Sequence, residues 1–429
     1  MFKLNNRGFA ISGILYSILI LFILLLVGIL SVLGSRKLIL DKTKNDVFNE
    51  LNEGIGLTME LNKKGGLLAD CKKVNNQYSG TCDLSGTQTN NYIWYSGFLW
   101  RVVGIKPDGK VKLITEENVA TVSIDSNVSA VPFGDGYVQK WLTSIFKPSL
   151  RNTNITTSVD ALTLADYRKA GGELSYLNTK QAFWLNSNNM EYVNENGNVY
   201  EGRNVENNGV RPLITVSSDT PVTGGVGTIS DFYIIKENKA VSFVNKKIAD
   251  VVTSGEYVKF TGNNNKFRVI SKGNDGIKLL EDGYMLDGVA YDEILDRFPA
   301  YSNDTRILES LVGANNTNKL LDTTWYIGDP FISGNNVINY LETTTNPKTA
   351  KIGLIRIGEI LSSQSQSIST KKGYWLLSKD NYNSPLAVTT WGYSKAYASI
   401  SFSLRPAVKI PLNLEVKSGK GLPNSPYEI

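Results

Sequence analysis

Few residues in this 429-residue chain are equipped for chemistry. There is no histidine, which removes the commonest general base, the commonest zinc ligand and the usual partner of a nucleophilic serine or cysteine. Its two cysteines, Cys71 and Cys82, therefore have no histidine with which to build a structural zinc site. The residues between them include turn formers at Asn75-Asn76 and Ser79-Gly80, so a disulfide-closed hairpin is expected, with two free thiols as the competing reading. Closing such a loop stabilises by roughly 3 kcal/mol on the chain-entropy model. The acidic pairs Glu116-Glu117 and Glu281-Asp282 end equivalent stretches, and surface solvation explains them more simply than acid-base catalysis. Gly224 to Gly227 and Gly419 to Gly421 lack the spacing of a phosphate loop and read as tight turns. No G-x-S-x-G elbow occurs. An enzyme is not expected, nor a cofactor or metal.

Recognition is better supplied. Trp391, with Tyr382, Tyr393 and Tyr397, sits in a run rich in Ser and Asn, DNYNSPLAVTTWGYSKAYASISF. Rigid aromatics among small polar groups give large contact area at low entropy cost, so 379–403 is the expected contact face. A solvated edge hairpin is the competing reading. Arg211 and Arg405 each precede a strand, where a guanidinium more often holds carbonyls or a carboxylate of its own domain than a ligand.

Those residues sit on a repeat. Arg211 to Ile235 aligns without a gap on Arg405 to Ile429, coinciding at Arg211/Arg405, Pro212/Pro406, Val222/Val416, Gly225/Gly419, Gly227/Gly421, Tyr233/Tyr427 and Ile235/Ile429. Upstream, Trp100-Arg101-Val102 finds its counterpart in Phe267-Arg268-Val269, and Phe183-Trp184-Leu185 in Tyr374-Trp375-Leu376. Each copy runs from an aromatic, β-branched hairpin through helix-compatible stretches to a cluster of short strands, which predicts an α+β domain. The expected organisation is a basic leader (1–8), a transmembrane helix (9–34) and a helical stalk (35–65). A cysteine hairpin and linker (66–89), repeat 1 (90–235), a linker (236–256) and repeat 2 (257–429) follow.

Phe9 to Leu33 carries no charge and no proline. At about 1.5 Å per residue it is long enough to cross a hydrocarbon core of about 30 Å. Flanking charges slightly favour a cytoplasmic C-terminus. The cysteine pair and the Asn, Ser, Thr and Tyr-rich body favour export, and the expected location is the cell membrane, single-pass, with the C-terminal domains extracellular. A net charge of +5 over this length, without basic clusters, argues against nucleic acid. Expected partners are membrane lipid and an extracellular protein or glycan, with helix-mediated self-association as a further candidate.

Two resemblances sharpen these expectations. KLNNRGFAISGILYSILILF resembles the leader of type IV prepilins, which implies cleavage between Gly8 and Phe9, although Gly13 stands where pilins usually carry Glu. The W-R-V strand, the W-L-x-S strand at Trp184, the closing R-P strands and the terminal Ser418-Gly419-Lys420-Gly421 with Pro426-Tyr427 resemble uncharacterised bacterial surface domains of C-type-lectin-like fold. That likeness implies two tandem lectin-like α+β binding modules, with adhesion or ligand recognition as the function. A pilin-like structural subunit is the alternative.

Overall fold

Among the described residues, a set of eleven strands recurs along the chain. In the first half they are β1 (Tyr92–Tyr95), β2 (Phe98–Ile105), β3 (Val111–Thr115), β4 (Ala120–Val122), β5 (Thr156–Ala161), β6 (Phe183–Trp184), β7 (Glu191–Val193), β8 (Val199–Glu201), β9 (Asn208–Val210), β10 (Pro212–Val216) and β11 (Tyr233–Ile234). In the second they are β12 (Tyr257–Lys259), β13 (Lys266–Gly273), β14 (Gly276–Glu281), β15 (Leu286–Ala290), β16 (Ile352–Gly353), β17 (Tyr374–Lys379), β18 (Pro385–Thr389), β19 (Gly392–Lys395), β20 (Ser401–Leu404), β21 (Ala407–Ile410) and β22 (Tyr427–Glu428). The six-stranded sheets run β11-β1-β2-β3-β10-β5 and β22-β12-β13-β14-β21-β16. The five-stranded sheets run β8-β7-β6-β9-β4 and β19-β18-β17-β20-β15. Adding eleven to each strand of the first half reproduces the second.

The structure is a computed structural model that describes residues 19–20, 55–79, 82–122, 132–150, 155–203, 208–235, 243–283, 286–290, 304–326, 331–333, 340–342, 347–356, 359, 373–379, 384–389, 392–395, 399 and 401–429. The chain divides into two units, Met1–Gly54 and Ile55–Ile429.

The correspondence extends to register. β2 is a run of aromatic and β-branched residues that pairs with β3 through Val102–Leu113 and then Gly104–Lys112, so Val103 bulges. β13 pairs with β14 through Val269–Leu279 and then Ser271–Lys278, and Ile270 bulges at the equivalent place. β11 joins β1 in parallel at Tyr233–Ile93, as β22 joins β12 at Tyr427–Val258. The glycines before these closing strands are dictated by a backbone crossing. A Cβ on Gly225 would lie 1.9 Å from Phe232 O and one on Gly419 1.9 Å from Pro426 O, and both sit at positive φ. They make turns, as their spacing implies.

The expected lectin-like α+β class is not what the chain forms. Strand accounts for 38% and helix for 18%, and the four large sheets stand as a four-bladed, propeller-like ring. The reason lies in lengths. The helix expected around Tyr137 to Phe146 is a five-residue turn, Tyr137–Trp141, followed by a wider turn, and the next is six residues, Leu164–Lys169. Neither can cover a sheet. The short strands of residues 183–210 instead pair among themselves and with β4, making a second sheet in the first half, as β15 and β17 to β20 do in the second.

The membrane expectation is corrected as well. Among the described residues no helix is long and apolar enough to cross a bilayer. The eight-residue Thr305–Val312 reaches about 12 Å, against about 30 Å of hydrocarbon. A single-pass anchor and a cell-membrane location are therefore not supported. Apart from Leu19 and Ile20, the 9–34 stretch lies outside the described residues, as do the leader and the Gly8/Phe9 cleavage point. The described end of the expected stalk is a short strand, Ile55–Gly56, paired with Pro221–Val222, and a helix, Leu57–Asn62, whose Leu57 and Leu61 are buried in the first half.

Each half has interior clusters of its own, one centred on Trp100 and Trp184, others on Trp375 and on Phe267. A further cluster crosses between them, where Trp94, Leu99 and Phe232 meet Tyr257 and Leu422. Trp94 thus seals the junction between the halves.

Candidate functional site

Cys71 and Cys82 are joined, with their Cα atoms 5.0 Å apart. Inside the bridge, Lys73–Val74 pairs with Gln77–Tyr78 across Asn75 and Asn76, both at positive φ, the conformation of a type I′ hairpin turn. A two-rung hairpin holds poorly alone, and here it is tied twice near its base. The bridge closes its base, and Tyr78 N donates to Pro107 O at 3.0 Å.

This hairpin forms one wall of an open groove of about 670 Å³. The rest of the lining comes from the Leu57–Asn62 helix with Thr58, Met59 and Asn62, from Pro107 to Gly109, and from Ser218 and Asp219. Each segment is anchored. Thr58 Oγ1 donates to Gly109 O at 2.6 Å, and Asn62 Nδ2 reaches Leu68 O and Cys71 O at 2.7 Å each. Two of the charges at the rim are neutralised locally: Lys63 pairs with Glu60 and Asp108 with Lys110, both at 2.6 Å. Lys73 lies 4.8 Å from the centre of the Tyr78 ring. What remains for a ligand is a surface of hydroxyl, amide and ammonium groups with the Asp219 carboxylate, beside Met59, which is 71% exposed.

A second constellation lies along the ring between the large sheets, and it is the same in both halves. Arg101 on β2 and Arg268 on β13 occupy equivalent registers, opposite Tyr92 and Tyr257. Arg211 and Arg405 lead into β10 and β21. Arg211 Nε donates to Thr115 O at 3.0 Å and Arg405 Nε to Glu281 O at 3.1 Å. Both guanidiniums face an aromatic ring, Phe183 at 4.8 Å and Tyr374 at 5.0 Å. All four arginines are no more than 3% exposed. Their carboxylates come from the ends of β3 and β14: Arg101 Nε stands 3.6 Å from Glu116 Oε2, and Tyr257 Oη donates to Asp282 Oδ1 at 3.1 Å.

The acidic pairs are thus not a solvated surface. Glu281 and Asp282 are buried, and Glu116 and Glu117 are half-buried. Burial, reinforced by Glu116 next to it, pushes the Glu117 carboxyl up to about 8, against the pull of Arg405 and Arg211. Burial, with Asp282 adding to it, takes Glu281 up to about 7, and burial raises Glu116 as well. Burial also draws the Arg211 guanidinium down to about 10.

Of the residues singled out in the sequence, the structure brings Cys71 to Cys82 and places Arg211 and Arg405 against carbonyls of their own halves. Pro212 opens β10 opposite Ala161, and Pro406 O accepts from Glu281 N at 2.8 Å. Tyr393 lies on β19 opposite Val388, while Trp391, Tyr382 and Tyr397 lie outside the described residues. Sequence reasoning missed the groove, whose walls come from four separated segments. It also missed the twin Tyr–Arg–acid constellations, although W-R-V over F-R-V marked one member of each. Among the described residues no three carboxylates or thiols come together as a metal site. No protein-family model matches the chain, and neither a curated protein nor a solved structure does.

Proposed function

We propose that the Ile55–Ile429 unit is a recognition module that holds a polar, uncharged polymer, a glycan chain, in the groove beside the disulfide hairpin. The observation that carries this reading is the groove itself: four hydrogen-bonded segments enclose about 670 Å³ lined by Thr58, Asn62, Asn76 and Ser218. Fixed walls, with Lys63 and Asp108 each paired and one ammonium and one carboxylate left at Lys73 and Asp219, suit a hydroxyl-rich ligand of no net charge, since a preorganised surface spends little free energy on ordering when it binds. Binding without chemistry fits the distribution of titratable groups. The carboxyls with raised proton affinity, Glu117 and Glu281, belong to the ring between the halves and do not line the groove.

The test is a glycan array probed with the full chain and with Met59→Trp, which fills the groove from an exposed position. At least a tenfold loss of affinity, about 1.4 kcal/mol, is expected. Leu174→Trp, equally exposed but away from the groove, should bind as the parent does. Binding unchanged in Met59→Trp, or no glycan bound by any form, contradicts the reading.

A further inference from the structure

In the first half Arg101 and Arg211 are both buried, and Glu116 is the carboxyl beside the two of them. Burial raises the proton affinity of that carboxyl. Two buried guanidiniums answered by one such carboxyl are costly, so the arrangement calls for an anion.

The first half also shows where an anion would sit. Arg211 Nη2, Tyr176 Oη and Glu116 Oε2 are buried atoms without a hydrogen-bond partner, and Arg101 Nε is too far from Glu116 for one. Arg211 feels the charges of Glu116 and Arg101 and lies within electrostatic reach of Tyr176. The Arg101 guanidinium carbon is 5.2 Å from the Tyr176 ring centre. These groups therefore share one region, and Glu116, with 23% of its side chain exposed, gives it an opening to solvent. The unpaired groups are mostly donors, and an edge-on guanidinium with a phenol beside it matches the oxygens of a carboxylate or phosphate.

We propose that Arg211, Arg101 and Tyr176 form a binding site for a small oxyanion of carboxylate or phosphate chemistry inside the ring. This site is separate from the groove. Arg211 Nη2 and Tyr176 Oη donate to the anion, and Arg101 supplies charge. Glu117 is the natural antagonist, since it is faced by Glu116, Arg211, Arg405 and Asp282, and its ionisation adds a competing negative charge.

Thermal unfolding of the full chain at pH 6 in formate, acetate, inorganic phosphate or chloride, at constant ionic strength, tests the site. A saturable rise in Tm with formate, acetate or phosphate, absent with chloride, is expected. Tyr176→Phe keeps the ring and removes the hydroxyl, and should raise the half-saturating concentration at least fivefold. At pH 9 the rise should shrink in the parent and persist in Glu117→Gln. Met59→Trp should leave it intact, which separates this site from the groove. A Tm that follows ionic strength alone, or identical anion responses in the parent and Tyr176→Phe, would overturn the proposal in favour of ordered water on these atoms.

Discussion

Gly97 and Gly255 meet backbone to backbone where the two halves join: a Cβ built on Gly97 would lie 2.8 Å from Gly255 Cα, and one on Gly255 2.7 Å from Gly97 Cα. Both residues have positive φ, at 78° and 87°, and Gly97 O accepts a bond from Arg268 Nη2 of the other half. An alanine at either position must adopt a left-handed backbone and push the halves apart. Gly97→Ala and Gly255→Ala should each cost about 2–4 kcal/mol in urea unfolding. Gly262→Ala, at φ 76° with nothing within 4 Å, should cost only about 1 kcal/mol.

Stability should fall as pH rises from about 5 to 8. The folded values of Glu117 and Glu281, about 8 and about 7, lie above the ordinary 4.5, so the folded chain holds protons that the unfolded chain has already released. Every tenfold gain in proton affinity on folding corresponds to about 1.4 kcal/mol, and that contribution is lost in full only above the folded value. Tm at pH 8.5 should therefore lie below Tm at pH 5.5, and Glu117→Gln should flatten the slope. Asp83 acts elsewhere: burial pushes it up, Lys112 and Lys169 outweigh that and hold it low, and its contribution is lost only below about pH 4.

Reduction should act locally first. Opening the Cys71–Cys82 loop removes roughly 3 kcal/mol on the chain-entropy model and frees the wall that carries Lys73, Asn76 and Tyr78. Cys71→Ser with Cys82→Ser should lower Tm and raise the groove's dissociation constant, while the ring retains its β circular dichroism.

Equivalent tryptophans should have equal consequences. Trp184 on β6 and Trp375 on β17 are both fully buried at corresponding places. Trp184→Ala and Trp375→Ala should each cost about 3–5 kcal/mol in urea unfolding.

The duplication was legible because strand entries and glycine turns restrict residue type. Arg211/Arg405 and Gly225/Gly419 recur where a backbone crossing or a buried guanidinium tolerates nothing else. Upstream the match weakens by one place: Gly276 aligns by spacing with Gly109, yet by register it takes the place that Lys110 holds in the first half. The fold class was not legible. Asn- and Gly-bounded short strands look alike whether they decorate a helix-covered sheet or pair into a second one, and the partner of β9, which is β6 in parallel, is distant in sequence. The acidic pairs misled for a related reason. Glu116 and Glu117 look like solvated strand ends until the fold sets Arg101 and Arg211 beside Glu116 and brings Asp282 and Arg405 of the second half within reach of Glu117.

The account rests on one eleven-strand unit used twice in a propeller-like ring. A crystal structure of the full chain tests it most directly. Strands β1 to β11 should superpose on β12 to β22 in the same sheet order, with bulges at Val103 and Ile270 and with Gly97 against Gly255. Halves of unlike strand order, or a large sheet that mixes strands from both, would contradict it.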